Sequence, residues 1–232
     1  MGINEVSSET EIEQGAADEA KEPASALLVI TLGIAGLLAG IVLVGTFIFT
    51  KPLIEQNKAE ALQRAIFKVL ANCDSFEELV LVDGVLKPAG DKTKDGGDVK
   101  QVFVGYDKNK EFVGFAIPGA EPGFQDIIGV IYGYNPHEEI IVGFEVLESK
   151  ETPGLGDKIF KDLAFQENFK ALRVSPEIVI VKNGQKANDN EVEAITGATI
   201  SSKAVVRLLN KSMEEWKKLI EAYVESEKLG KP

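Results

Sequence analysis

The chain has one cysteine, Cys73, and one histidine, His137. A single thiol excludes an intramolecular disulfide. One thiol and one imidazole also exclude a zinc or iron–sulfur site ligated by cysteine or histidine clusters within the chain. Basic residues are in the minority, with 25 Lys and Arg against 37 Asp and Glu, for a formal net charge of −12. Phosphate backbones demand clustered cations, and no basic stripe is present, so nucleic acid is excluded as a general partner. No glycine-rich GxGxxG turn after a strand, no Walker loop and no Ser–His–Asp set appears. If the chain carries out redox chemistry, an organic cofactor must supply it.

What the chain does have is a long apolar run. Residues 26–49 read ALLVITLGIAGLLAGIVLVGTFIF, with Thr31 and Thr46 the only polar side chains. At 1.5 Å per residue this run spans roughly 36 Å, against a hydrocarbon core of about 30 Å. Lys51-Pro52 follows it rather than a small-residue cleavage site, so the run reads as a membrane helix and not as a cleaved signal. Gly33, Gly36, Gly40 and Gly45 would let a second helix approach, or are ordinary membrane-helix glycines. Ahead of the run, residues 1–25 hold Glu5, Glu9, Glu11, Glu13, Asp18, Glu19 and Glu22 against Lys21 alone. A segment with that charge and no apolar period reads as a solvated, disordered tail.

Beyond the run, residues 53–232 read as one α+β domain. Residues 53–72 have Leu62, Ile66 and Val69 at helical spacing. Residues 80–86, 101–106, 111–117, 127–134 and 139–147 are short, apolar-rich strands, with Asp107 to Lys110 and Asn135-Pro136 in turns. A helix is expected over 158–172 and a strand over 177–181. A long helix is expected from Ser202 to about Glu227, with Val205, Leu209, Met213, Trp216, Ile220 and Tyr223 on one stripe. Strands in runs followed by helices predict a mostly antiparallel sheet with flanking helices. By the same spacing, Trp216 and Tyr223 are core residues, His137 is a surface group in a turn, and Cys73 is structural or free.

Two segments stand out. Glu193 to Ser202 reads EAITGATISS and lies just before the last helix. Gly197 and Ala198 leave the backbone open to a bulky group, and Ser201 or Ser202 suits a helix cap. Helix N-terminal amides favour a phosphate, which would place one well on the hydroxyl of Thr199. Spacing alone favours reading this segment as a small-residue turn with a serine cap. The second segment, Glu151 to Gly156, reads ETPGLG. Its glycines permit close backbone approach and Pro153 stiffens it. Taken alone it is a turn leading into a helix.

Together the two segments resemble a known family. Thr196-Gly197-Ala198-Thr199 is similar to the [Ser/Thr]-Gly-Ala-Thr flavinylation motif of the FMN-binding domain in RnfG and NqrC proteins. Glu193 stands where that family usually has an aspartate. The Glu151–Gly156 segment resembles the family's Glu-Thr-Pro-Gly-Leu-Gly loop, which lies against the flavin. The resemblance extends over most of residues 26–225 but not the acidic tail. It implies FMN joined to Thr199 through a phosphoester made by a separate flavin transferase that uses FAD. It further implies a pocket drawn from Glu151, Thr152, Gly154, Leu155, Gly156, Thr196, Gly197, Ala198, Ser201 and Ser202, with Glu151 or Thr152 bonding a polar edge of the flavin.

The implied function is an electron-carrying subunit of an ion-translocating ferredoxin:NAD oxidoreductase, the Rnf complex, in contact with its other subunits. The sodium-pumping quinone reductase subunit NqrC, or a membrane-anchored adaptor without cofactor, are the alternatives. For topology, two arguments oppose each other. Lys51, Lys58, Arg64 and Lys68 follow the membrane run, which by charge bias puts the domain in the cytoplasm. The family places it on the extracytoplasmic side of the inner membrane. Large domains translocate largely regardless of charge, so the expectation follows the family.

Overall fold

The computed structural model describes residues 25–90 and 100–229. The acidic segment expected over 1–25 lies outside the described residues but for Ser25. The chain divides into two units, residues 1–54 and 55–232.

The described part of the first unit is helical. Helix α1 runs Ser25–Val69, so the expected membrane run and the helix expected over 53–72 are one continuous element with Pro52 inside it. Through the apolar run its side chains are exposed on every face, with Leu32 at 76% and Phe49 at 74%. The hydroxyls of Thr31 and Thr46 donate to the carbonyls of Leu27 and Val42, each at 2.8 Å. The helix therefore satisfies its own polar side chains, as a helix in hydrocarbon must. It is long and apolar enough to cross a membrane.

The second unit is built on a seven-stranded sheet in the order β2-β1-β3-β4-β5-β6-β7. The strands are β1 (Ser75–Val82), β2 (Val85–Pro88), β3 (Gln101–Tyr106), β4 (Phe112–Pro122), β5 (Ile127–Asn135), β6 (Ile140–Glu148) and β7 (Leu172–Arg173). Every neighbouring pair is antiparallel. A parallel pair, β8 (Val179–Val181) and β9 (Glu191–Glu193), stands apart. Helices α2 (Lys158–Lys161), α3 (Leu163–Glu167) and α4 (Thr199–Glu227) complete the α+β architecture.

Period-two alternation gives each central strand two buried faces. Val102, Val104, Phe115, Ile117, Tyr132 and Tyr134 join the core that contains Val205, Leu209, Trp216, Ile220 and Tyr223 of α4. Phe103, Ala116 and Ile131 face the other way, onto Ala65, Ile66, Val69 and Leu70. The end of α1 lies directly on the sheet over the cross-strand pair Gly133 and Gly143. A β-carbon at either would stand 2.2 or 2.5 Å from the Val69 carbonyl oxygen, so only glycine fits both places.

Several boundaries differ from expectation; β4, for one, runs on to Pro122 past the expected 117. The strand expected over 80–86 is a hairpin, because Asp83 and Gly84 both take positive φ, 53° and 79°, as a tight two-residue turn requires. The helix expected over 158–172 breaks at Asp162. That residue is extended, and its carboxylate accepts the Ala164 and Phe165 amides as the cap of α3. Leu172 and Arg173 then pair with β6 instead of continuing a helix. Helix α4 begins at Thr199, three residues before Ser202.

Candidate functional site

Three connections meet at one end of the sheet: the turn between β4 and β5, the loop after β6, and the link from β9 into α4. Between them is a cleft of about 310 Å³, lined by Phe124, Glu151, Thr152, Leu155, Gly156, Gly197, Ala198, Thr199, Ile200 and Ser201. That volume falls at the lower end of small-molecule sites. The two segments singled out in the sequence thus converge, although they lie far apart in the chain. Gly154, Thr196 and Ser202 border the cleft residues in sequence but do not line it.

The loop after β6 folds back on itself. The amides of Leu155 and Asp157 donate to the Thr152 carbonyl at 3.1 and 3.4 Å. The Gly154 amide donates to Asp157 Oδ1 at 2.8 Å, and Lys161 Nζ holds Oδ2 at 2.5 Å. This lysine holds the Asp157 carboxyl below the usual carboxylate range. Gly154 has φ of +78° with open space around it, and Gly197 has φ of +86°. The fold of this loop leaves Leu155 half exposed, against Gly197.

The start of α4 corrects the expected cap. Ala198 is the N-cap residue and makes no side-chain cap bond. Thr199 is the first helical residue, so Ser201 and Ser202 lie inside the first turn. Ser202 Oγ accepts the Ile195 amide at 3.1 Å and donates to the Ala198 carbonyl at 3.0 Å. Ser202 is fully buried and ties the entering chain to the helix. The Ser202 amide is the one that bonds back to Ala198. The amides of Thr199, Ile200 and Ser201 precede it, as the orphan donors of a helix start. The Thr199 side chain is exposed at the cleft.

Glu151 lines the cleft with its carboxylate turned to partners within the protein. It is 5% exposed, and its Oε1 accepts the amides of Phe124 and Gln125, each at 2.9 Å. Its Oε2 accepts the Ser201 hydroxyl. Both oxygens are engaged within the protein, Oε1 by two donors and Oε2 by one. Burial pushes its carboxyl up, but the Ser201 hydroxyl and the amides of residues 124–126 outweigh burial and hold it below the usual range. Thr152 donates to Gln125 Oε1 at 3.1 Å. Gly156 is explained by the same carboxylate, since a β-carbon there would stand 2.6 Å from Glu151 Oε2 and 2.9 Å from Ser201 Oγ. The glycine makes room for Glu151 rather than for a ligand. Glu193 accepts the Gly184 and Lys186 amides and so holds the turn after β8.

Two cleft residues were not singled out in the sequence. Phe124, 65% exposed, follows the Pro122-Gly123 turn, and Ile200, 52% exposed, lies off the core stripe of α4. In each case the signal was an apolar side chain where the local pattern calls for a polar one. With Leu155 they make an apolar rim. The β4–β5 turn is fastened to α4 from below. Glu121 is paired with Lys211 at 2.8 Å and Arg207 at 3.2 Å, and Arg207 also donates to the Pro122 carbonyl at 3.0 Å. Of the remaining residues, Trp216 and Tyr223 are buried, His137 is an exposed turn residue with its ring against Phe112, and Cys73 is a free thiol.

The donor set suits one kind of group. Helix-start amides and an exposed hydroxyl fit a phosphate, and three exposed apolar side chains fit the face of a flat ring. The cleft and its fold thus suit a domain that holds a phosphate-bearing, flat-ringed cofactor. Residues 123–214, which contain every cleft residue, match the model of the FMN-binding domain. The G subunit of an ion-translocating oxidoreductase complex from Methanosarcina acetivorans is 29% identical over 187 residues, covering 81% of this chain and 92% of that protein. The G subunit of the Na⁺-translocating ferredoxin:NAD⁺ oxidoreductase complex of Acetobacterium woodii is 33% identical over 123 residues, covering 53% and 58%. The crystal structure of Shewanella oneidensis NqrC superposes with a TM-score of 0.58 at 18% identity, over 72% of this chain and 99% of that one. At that identity the likeness establishes the fold. Residues 123–214 of the chain are thus similar to the FMN-binding domain, and the relatives named are G subunits of ion-translocating oxidoreductases.

Proposed function

We propose that the protein is the G-type, electron-transferring subunit of a membrane-bound, ion-translocating ferredoxin:NAD oxidoreductase of the Rnf kind, carrying one FMN on Thr199. The observation that supports this best is Thr199, an exposed residue in the first turn of α4 that lines the apolar-rimmed cleft. FMN, when bound, supplies reversible uptake and release of electrons. The chain supplies the rest. Thr199 offers the attachment hydroxyl, and the α4 amides receive the phosphate charge. Phe124, Leu155 and Ile200 would cover apolar ring surface and keep water from it. Attachment from FAD forms the Thr199 Oγ–phosphorus bond and breaks the pyrophosphate bond. AMP leaves with the bridging oxygen, and the hydroxyl proton passes to a base on a separate flavin transferase.

Residues 26–49 anchor the subunit in the cytoplasmic membrane beside the other subunits, with residues 53–232 as the FMN domain on the extracytoplasmic side. The fold is shared with NqrC, which keeps a quinone-reductase subunit as the second reading. Matches that extend over most of the chain to G subunits favour the first. Two measurements test the proposal. The chain co-expressed with a flavin transferase should give a fluorescent band in a denaturing gel, lost in Thr199→Ala and kept in Thr196→Ser. A fluorescent Thr199→Ala band, or no band from the unaltered chain, rejects the attachment. Protease outside intact spheroplasts should degrade the flavin domain, and its protection would place the domain in the cytoplasm.

A further inference from the structure

The three walls of the cleft come from separate parts of the chain, and one side chain touches all three. Glu151 lies in the loop after β6, receives two amides from the β4–β5 turn, and receives a hydroxyl from the first turn of α4. One of those amides belongs to Phe124, whose ring stands exposed at the rim. The other belongs to Gln125, whose side chain is bonded in turn by Thr152. Two glycines make way for the carboxylate. A β-carbon at Gly123 would stand 2.6 Å from Oε1, and one at Gly156 would stand 2.6 Å from Oε2.

We propose that Glu151 is a positioning residue for the flavin site, whose buried carboxylate clamps the β4–β5 turn, its own loop and the start of α4 into one cleft and places a fixed negative charge in the cleft lining. The clamp rests on the reading of this cleft as an FMN site, and it acts through Phe124 and Ser201. Charge is essential to it for two reasons. Hydrogen bonds to an ionised acceptor are about twice as strong as neutral ones. A carboxylate beside a bound flavin also opposes the gain of negative charge that accompanies reduction. Glu151 therefore keeps the flavin harder to reduce than a neutral residue of the same shape would.

The test compares full-length, detergent-solubilised wild type with Glu151→Gln, Glu151→Asp and Ser201→Ala. Glu151→Gln keeps the size and removes the charge. It should still carry flavin in the denaturing gel, while its flavin midpoint potential rises and its native absorption band shifts. In flavin-free protein, exchange of the Phe124 and Gln125 amides should speed up about tenfold, the equivalent of 1.4 kcal/mol. Exchange at Ile131 and Tyr132 should not change. Glu151→Asp keeps the charge with a shorter reach, so exchange should speed up while the potential stays closer to wild type. A Glu151→Gln protein with wild-type potential, spectrum and exchange overturns the proposal. If that variant does not fold, Ser201→Ala decides through the native flavin spectrum, and a spectrum identical to wild type overturns the clamp. Absence of flavin from the wild type would reject the FMN reading instead, and the exchange comparison then judges the clamp alone.

Discussion

Leu155 lies against Gly197: a β-carbon on that glycine would stand 3.6 Å from Leu155 Cδ2. This contact joins the tips of the two segments that stand out in the sequence, and it accounts for a half-exposed leucine at the cleft. Gly197 is required by its φ of +86°, while the contact with Leu155 would leave room for a β-carbon.

The two loop glycines after β6 should respond differently to substitution. Gly154 has φ of +78° and open space, so Gly154→Val costs backbone strain on the order of 1–3 kcal/mol without a clash. Gly156→Ala meets Glu151 and Ser201 directly. Both variants should melt earlier than wild type. Only Gly156→Ala should also accelerate exchange at the Phe124 and Gln125 amides, and equal exchange in the two variants would contradict the separate causes.

Leu209 is fully buried between α4 and the sheet. Leu209→Ala should destabilise the domain by about 2–5 kcal/mol through lost burial and the cavity left behind. Urea unfolding of the domain measures this, and a loss below about 1 kcal/mol would mean that α4 packs more loosely than described.

Acid should weaken the cleft end of the fold. Burial raises Glu151, but the Ser201 hydroxyl and the amides of residues 124–126 prevail and leave its carboxyl below the ordinary 4.5. Lys211, with Arg207, holds Glu121 below 4.5 in the same way. Groups lowered by folding add stability that is fully present above their unfolded values. That stability is lost as pH falls below about 4.5 and through the lower folded values. Melting temperature should therefore drop on acidification. The drop should be smaller in Glu151→Gln, whose starting stability is already reduced, and an unchanged slope would show that Glu151 does not contribute.

The fragment 55–232 should fold alone. Its two buried faces are supplied by its own helices, including residues 65–70 that cover the sheet. It should be soluble without detergent and unfold in one cooperative transition. A fragment that aggregates without detergent would show that residues before 55 are needed for the fold.

Residue pattern alone determined the apolar helix, the strands over 101–106 and 127–134, and the stripe of α4 from Val205 to Tyr223. Each of these depends on local periodicity, which is written along the chain. Thr199 and the loop Glu151–Gly156 were marked by their resemblance to a family motif, since pattern alone reads both as turns. Tertiary structure decided what the sequence could not. Glu151 resembles an open acceptor until the Phe124 and Gln125 amides and the Ser201 hydroxyl are brought to it. Phe124 and Ile200 become rim residues only when two distant turns share one cleft. Ser202 looks like a cap until the Ile195 amide reaches its hydroxyl from inside the fold. A side chain's partners across the fold depend on how separate elements pack, and no periodicity along the chain encodes that contact.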